Sequence, residues 1–248
     1  MPDFLTTPEG RRIAYHRIEG AGPGIMFCGG FRSDMQGSKA VYLEDWAKAQ
    51  GRAFVRFDYS GHGESGGDFL DGAIGDWLSD ARAVLAALTE GPQILVGSSM
   101  GGWISLLLAR EQPERLAGFV GIAAAPDFTE DGFWAGFTPA QRAEIEAGRP
   151  VDVPSDYEAP YQITPRLIAE GRNNLILRSP LSLPVAARFL LGTADTAVSV
   201  ETTLRLLDHL KGSDIRLTLV KGADHRFSDP ECLDLITAAI DDVTRRAG

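Results

Sequence analysis

Ser99 stands in Leu95-Val96-Gly97-Ser98-Ser99-Met100-Gly101-Gly102-Trp103, where an apolar run gives way to Gly-x-Ser-x-Gly and then to helical spacing. A strand, a tight turn and a helix in that order present a serine hydroxyl as a nucleophile. The reason is steric: the turn is so tight that only small residues fit two positions either side of the serine. The helix that follows also points its N-terminus at the site, favouring negative charge that develops there.

A nucleophilic serine needs a base, and the chain holds four histidines. Behind such an elbow the acid and then the histidine follow the serine along the chain. His16 and His62 precede it, which leaves His209 and His225. His209 closes the helical pattern Glu201–Leu210, where a histidine commonly serves the helix dipole. His225 follows the β-rich run that ends at Val220, and a loop at a strand's C-terminal edge suits a catalytic base. The orienting acid is Asp195, three residues beyond Gly192, with Asp127 as its credible rival and Asp224 as a solvated turn residue. Its carboxylate would fix the histidine tautomer. The oxyanion donors are read as the backbone N–H of Met100 and, after Gly29-Gly30, the N–H of Phe31.

Gly61-His62-Gly63-Glu64-Ser65-Gly66 also spells a dinucleotide fingerprint, with Asp80 nineteen residues after Gly61. The fingerprint demands that a helix open at once, whereas Gly67-Asp68-Phe69-Leu70-Asp71-Gly72 follows. A tight loop beside the active site is the better reading.

These residues must be held by elements, and the chain alternates regularly. Short apolar runs at 24–27, 53–57, 93–96, 119–122, 187–191 and 215–220 are separated by helical spacing at 41–50, 74–89, 103–111, 201–210 and 231–245. Such alternation predicts a mostly parallel sheet with helices on both faces. From Asp127 to about Pro184 the rhythm breaks into prolines and aromatics, with helical pieces predicted at 139–147 and 165–173. A long interruption of this kind reads as a lid over an active site. The expected architecture is one domain over 1–248 with a small lid inserted at 127–184.

The composition narrows the function classes. Apolar residues make up 44% and charged residues 23%, so the chain can bury a core without staples. A net charge of −10 argues against nucleic-acid binding. Two cysteines, Cys28 and Cys232, form neither a disulfide framework nor a CxxC motif, and no histidine pair has zinc spacing. No metal and no cofactor is expected. No signal peptide is expected, since Met1-Pro2-Asp3-Phe4 lacks its basic and apolar regions, and no apolar run approaches the ~18 residues that span a bilayer. A soluble, cytoplasmic protein is expected, a monomer or small homo-oligomer.

The elbow, Asp58-x-x-Gly61-x-Gly63-x-Ser65, Gly192-x-x-Asp195 and the late His225 resemble the α/β-hydrolase superfamily over nearly the whole chain. The blocks 27–35, 54–61 and 91–103 resemble, more closely, the branch of mitochondrial palmitoyl-protein thioesterases and mycophenolic acid acyl-glucuronide esterases. The core resembles that branch more than the lid does, and the chain shows no transit peptide. The resemblance implies hydrolysis of acyl esters or thioesters by Ser99, Asp195 and His225 without a cofactor. The substrate would be a small molecule or an S-acylated protein. Arg32, Phe128, Phe133, Trp134 and Phe137 are the candidate substrate-binding residues, the rings for an apolar acyl chain. Arg32, with Arg142, Arg166 and Arg172, would hold a carboxylate on the leaving group or else merely be solvated. A haloperoxidase-like or C–C-bond hydrolase would use the same triad, and a binding protein on this fold would not need it.

Overall fold

The apolar runs become strands of one sheet, with 215–220 at its edge, in the computed structural model, which describes residues 1–154 and 160–247. Tyr157, one of the aromatics between Asp127 and Pro184, lies outside the described residues. Among those described, the main sheet comprises β1 (Asp3–Thr6), β2 (Arg12–Ile18), β3 (Ala21–Cys28), β4 (Arg52–Phe57), β5 (Gln93–Ser98), β6 (Leu116–Ile122), β7 (Ala187–Gly192) and β8 (Ile215–Val220). Their spatial order is β1-β2-β4-β3-β5-β6-β7-β8. Every pair from β4 to β8 is parallel, while β1 with β2 and β2 with β4 are antiparallel.

Seven α-helices accompany these strands among the described residues: α1 (Ser38–Ala49), α2 (Ile74–Leu88), α3 (Met100–Glu111), α4 (Pro139–Glu146), α5 (Pro165–Gly171), α6 (Val200–His209) and α7 (Pro230–Arg246). Side chains alternate along a strand, and here both faces are buried. Ile25, Phe27, Ile94, Val96, Val120 and Ile122 point to the face covered by α1 and α7. Met26, Leu95 and Phe119 point to the face covered by α2 and α3. The fold is therefore the α/β-hydrolase fold, a mostly parallel sheet flanked by helices. No described helix is long and apolar enough to cross a membrane.

Sequence reasoning overlooks the hairpin of β1 and β2, joined through Thr7 to Arg11 with Gly10 at a φ of +82°. It also overlooks a π-helix at Phe128–Trp134, which breaks the usual 3.6-residue spacing. Both helical pieces expected after it form, with proline at the start of each and a capping threonine before it.

The segment between β6 and β7 is tied down by buried polar contacts. Asp127, fully buried at a φ of +59°, accepts the N–H groups of Ile176 at 2.8 Å and Leu177 at 2.9 Å. Trp103 donates its indole N–H to the Asn174 carbonyl at 3.1 Å, and Gly75 donates to the Glu170 carboxylate at 2.7 Å. Asp127 is the inner anchor because one carboxylate satisfies two amides that water does not reach. Asp127→Ala strands both amides and puts alanine in a left-handed conformation. It should cost roughly 3 kcal/mol, lowering the thermal midpoint by roughly 6–12 °C in a calorimetric scan. A loss within 2 °C would remove the anchor role.

Candidate active site

The end of β5 and the start of α3 leave one residue to make the turn, and that residue is Ser99. Its backbone lies at φ 53° and ψ −117°, a strained conformation for a residue with a side chain. Three hydrogen bonds hold it there. The Ser99 N–H donates to Ile122 O at 2.9 Å, and Ser99 O accepts from Gly102 at 2.9 Å and Ala125 at 3.1 Å. The flanking glycines are close-approach positions: a Cβ on Gly97 would sit 2.4 Å from Gly101 O, and one on Gly101 would sit 2.0 Å from Cys28 O.

The loop after β7 brings the carboxylate and the loop after β8 brings the imidazole. These loops interlock through Thr193 N–H to Val220 O at 2.9 Å, Ala194 N–H to Ala223 O at 3.0 Å and Gly222 N–H to Thr193 Oγ1 at 2.9 Å. The Asp195 side chain is fully buried. Its Oδ1 accepts the N–H groups of Ala197 and Val198, each at 2.8 Å. Its Oδ2 is left for His225 Nδ1, at 2.8 Å, and His225 Nε2 lies 3.1 Å from Ser99 Oγ. A carboxylate can only accept, so the imidazole proton sits on Nδ1 and Nε2 is the acceptor for the serine hydroxyl.

The rival groups are occupied elsewhere. Asp127 serves the Ile176 and Leu177 amides, and Asp224 is exposed and accepts from Phe227 N–H at 3.2 Å. His209 ends α6. His62 is buried edge-on against Tyr59, Phe69 and Trp77, and burial pushes its pKa down to about 4. The glycine-rich loop also lacks the immediate helix start of a dinucleotide fingerprint. After Gly66 the chain makes a short 3₁₀ turn at Phe69–Asp71, and α2 begins only at Ile74. Asp80 is taken by Ser60 N–H at 2.9 Å, Ser60 Oγ at 2.7 Å and Arg11 Nε at 2.6 Å.

That loop braces the site instead. Asp58 accepts the Met35 N–H at 2.6 Å and the Glu64 N–H at 2.8 Å, while Arg56 donates to the Met35 carbonyl. Residue 35 is thereby held on both sides of its backbone, just beyond the Gly29–Asp34 loop. Burial raises the Asp58 pKa, and the two amides oppose that rise. In the β3–β5 register Cys28 pairs with Gly97, which lays Gly29 to Phe31 alongside the elbow. Met100 opens α3, so its N–H belongs to the first turn, whose amides have no acceptor within the helix.

A cavity of about 540 Å³ opens over Ser99 and His225. Phe31, Phe128, Phe133 and Tyr161 line it. The ring of Phe31 meets the other three edge-on, with centroids 5.4–6.0 Å away. Three of the expected substrate contacts are not among the described lining residues. Trp134 packs on Phe137 and carries the Arg142 and Arg172 guanidinium groups over its ring. Phe137 is buried, and Arg32 folds over Phe69 at 4.6 Å. The ring spacing along the sequence could not separate Trp134 from Phe128 and Phe133, because a π-helix rather than an α-helix distributes these three. The cluster of arginines is likewise spent: Arg166 pairs with Asp76 at 2.5 Å and Arg172 with Glu130 at 2.7 Å. Lys39 and Arg226 also line the cavity, and Lys39 escapes motif reasoning because it stands in no recognisable pattern.

Residues 25–146 match the family described as serine aminopeptidase, S33. Over 242 residues the chain is 38% identical to the mitochondrial palmitoyl-protein thioesterase ABHD10 of Rattus norvegicus, spanning 97% of this chain and 81% of that protein. The solved structure of mouse alpha/beta hydrolase domain-containing protein 10 has a TM-score of 0.93 at 35% identity, with 100% of both chains covered. A solved structure from Agrobacterium vitis S4 has a TM-score of 0.94 at 37% identity, with 98% of each chain covered.

The serine–histidine geometry has a direct chemical test. A fluorophosphonate probe should label the protein at Ser99, and Ser99→Ala should abolish labelling. Ser98→Ala should be labelled at close to the original rate. Labelling that follows Ser98 instead would assign the wrong serine.

Proposed function

The chain belongs to the α/β-hydrolase family that contains the ABHD10 palmitoyl-protein thioesterases, and on that premise we propose that it hydrolyses acyl esters or thioesters through an acyl-enzyme. The supporting observation is the unbroken line from buried Asp195 through His225 to Ser99 at the floor of an aromatic-walled cavity.

In this reading Ser99 Oγ attacks the acyl carbonyl while His225 Nε2 takes its proton. Asp195 stabilises the imidazolium that results. The Phe31 and Met100 N–H groups stabilise the oxyanion, the term that commonly contributes most to acyl transfer. The imidazolium then passes its proton to the departing alcohol or thiol, leaving an acyl-serine. Water, deprotonated by the same histidine, attacks that ester, and collapse releases the carboxylic acid and restores Ser99. Residues 127–184 serve as the lid of a single hydrolase domain, and Phe128 and Phe133 form its acyl-facing wall.

The relatives' name supports a long acyl group on a protein thiol as one substrate, and small acyl esters as the simpler alternative. Two buried free cysteines support a reducing compartment. We propose the cytoplasm, although the named relatives are mitochondrial.

A panel of p-nitrophenyl esters and S-acyl thioesters of increasing chain length tests both the reaction and its wall. Ser99→Ala should lose activity on the order of 10⁶-fold in kcat. Phe133→Ala should lower kcat/KM for a long acyl ester roughly tenfold more than for acetate. Trp134→Ala, outside the described cavity wall, should affect both substrates alike. Full turnover by Ser99→Ala would reject the mechanism. Equal losses on both esters in Phe133→Ala would reject the acyl wall.

A further inference from the structure

One cation reaches the cavity from an element that supplies none of the three triad residues. Lys39 is the second residue of α1, half-buried, and it lines the same cavity as Ser99 and His225. Its ammonium donates to the backbone carbonyl of Arg226, the residue immediately after His225. The contact spans 187 residues of sequence and joins the first turn of α1 to the β8–α7 loop that carries His225. The β3–α1 loop with Phe31 leads into that turn. This loop is independently anchored, since Asp58 and Arg56 hold Met35 on both sides. Further along the α1–α7 seam, Tyr42 donates to Asp234 at 2.8 Å, so the helices themselves are joined without Lys39. What Lys39 adds is a link at the catalytic end of that seam.

The placement carries a cost that a neutral side chain would avoid. Burial disfavours the charged form and draws the Lys39 pKa down to about 8. Asp224 on the histidine loop and Cys232 on α7 oppose that shift, while Arg226 adds to it. His225 faces the same cavity. A hydrogen bond from an ammonium is roughly twice as strong as one between neutral groups.

We propose that Lys39 is a positioning residue whose charged form holds the His225 loop in register with Ser99 through the Arg226 carbonyl. This role rests on the triad reading given above. Its loss displaces the imidazole from the serine rather than removing a group that touches substrate. The alkaline limb of the pH profile then originates in Lys39, whose deprotonation weakens the tie.

The test measures kcat and KM of the full chain against pH with p-nitrophenyl acetate, a neutral ester that offers no charge for Lys39 to bind. The unmodified enzyme should decline as pH rises through about 8. Lys39→Met should lower kcat at neutral pH by about ten- to a hundredfold, leave KM nearly unchanged and erase the alkaline limb. Lys39→Arg stays charged throughout, so it should recover most of kcat and extend the plateau to higher pH. Unchanged kcat in Lys39→Met would overturn the proposal. So would an alkaline limb that persists at its original pH in Lys39→Arg, which decides the matter even if Lys39→Met does not fold. Ser99→Ala run alongside separates the two claims: turnover there refutes the triad, whereas an inactive Ser99→Ala beside a normal Lys39→Met refutes only the role of Lys39.

Discussion

The backbone of Ser99 occupies a conformation that a side-chain-bearing residue keeps only where its surroundings over-determine it. Much of the structure supplies that determination. Adjacent parallel strands place Ile122 O beneath the Ser99 N–H, while Gly102 in the first turn of α3 and Ala125 in the chain after β6 hold its carbonyl. The turn closes only because Gly97 and Gly101 let backbone meet backbone at distances no Cβ would tolerate. Strain of this kind costs about 1–3 kcal/mol and is sustained by the sheet packed behind it. The return is a hydroxyl that stands clear of its neighbours at the mouth of a helix.

From that fixed point the other groups need only be brought to distance. The strands order themselves so that the loops after β3, β5, β7 and β8 share one edge of the sheet. Asp195 divides its carboxylate between structure and imidazole, one oxygen ordering its own loop and the other aiming His225. The two loops are further stitched by Thr193, Ala194 and Gly222. The imidazole thus inherits its place from the backbone hydrogen bonds that join the loops and from the carboxylate that holds its Nδ1.

The inner strands and long helices were legible because apolar period and glycine punctuation coincide there. Ser99 could be proposed from its Gly-x-Ser-x-Gly setting between strand and helix, and His225 from chain order together with its place after the β-rich run ending at Val220. Asp195 needed its distance from Gly192, and Asp127 competed with it until burial among the Ile176 and Leu177 amides revealed a different employment. The segment after β6 was legible as a break in rhythm with two proline-led helices, α4 and α5. Its π-helix rotates Phe133 into the cavity and leaves Trp134 outside the described wall, a distinction that residue type and spacing do not encode. Lys39 was illegible for another reason: its partner is a backbone carbonyl, which no sequence displays.

The Phe31 ring gathers Phe69 and Trp77 from the body and Phe128, Phe133 and Tyr161 from the segment above, all edge-on and within 6.0 Å. The amide of this same residue is the proposed oxyanion donor. Two demands therefore fall on one position, and evolution cannot retune the cavity wall there without moving the electrostatics of the reaction. Diversification of substrate choice has a freer path through the rings contributed from above, whose backbones belong to no catalytic element. Residue 31 should drift slowly among descendants of this chain while positions 128, 133 and 161 explore, so that a change of diet leaves the chemistry untouched.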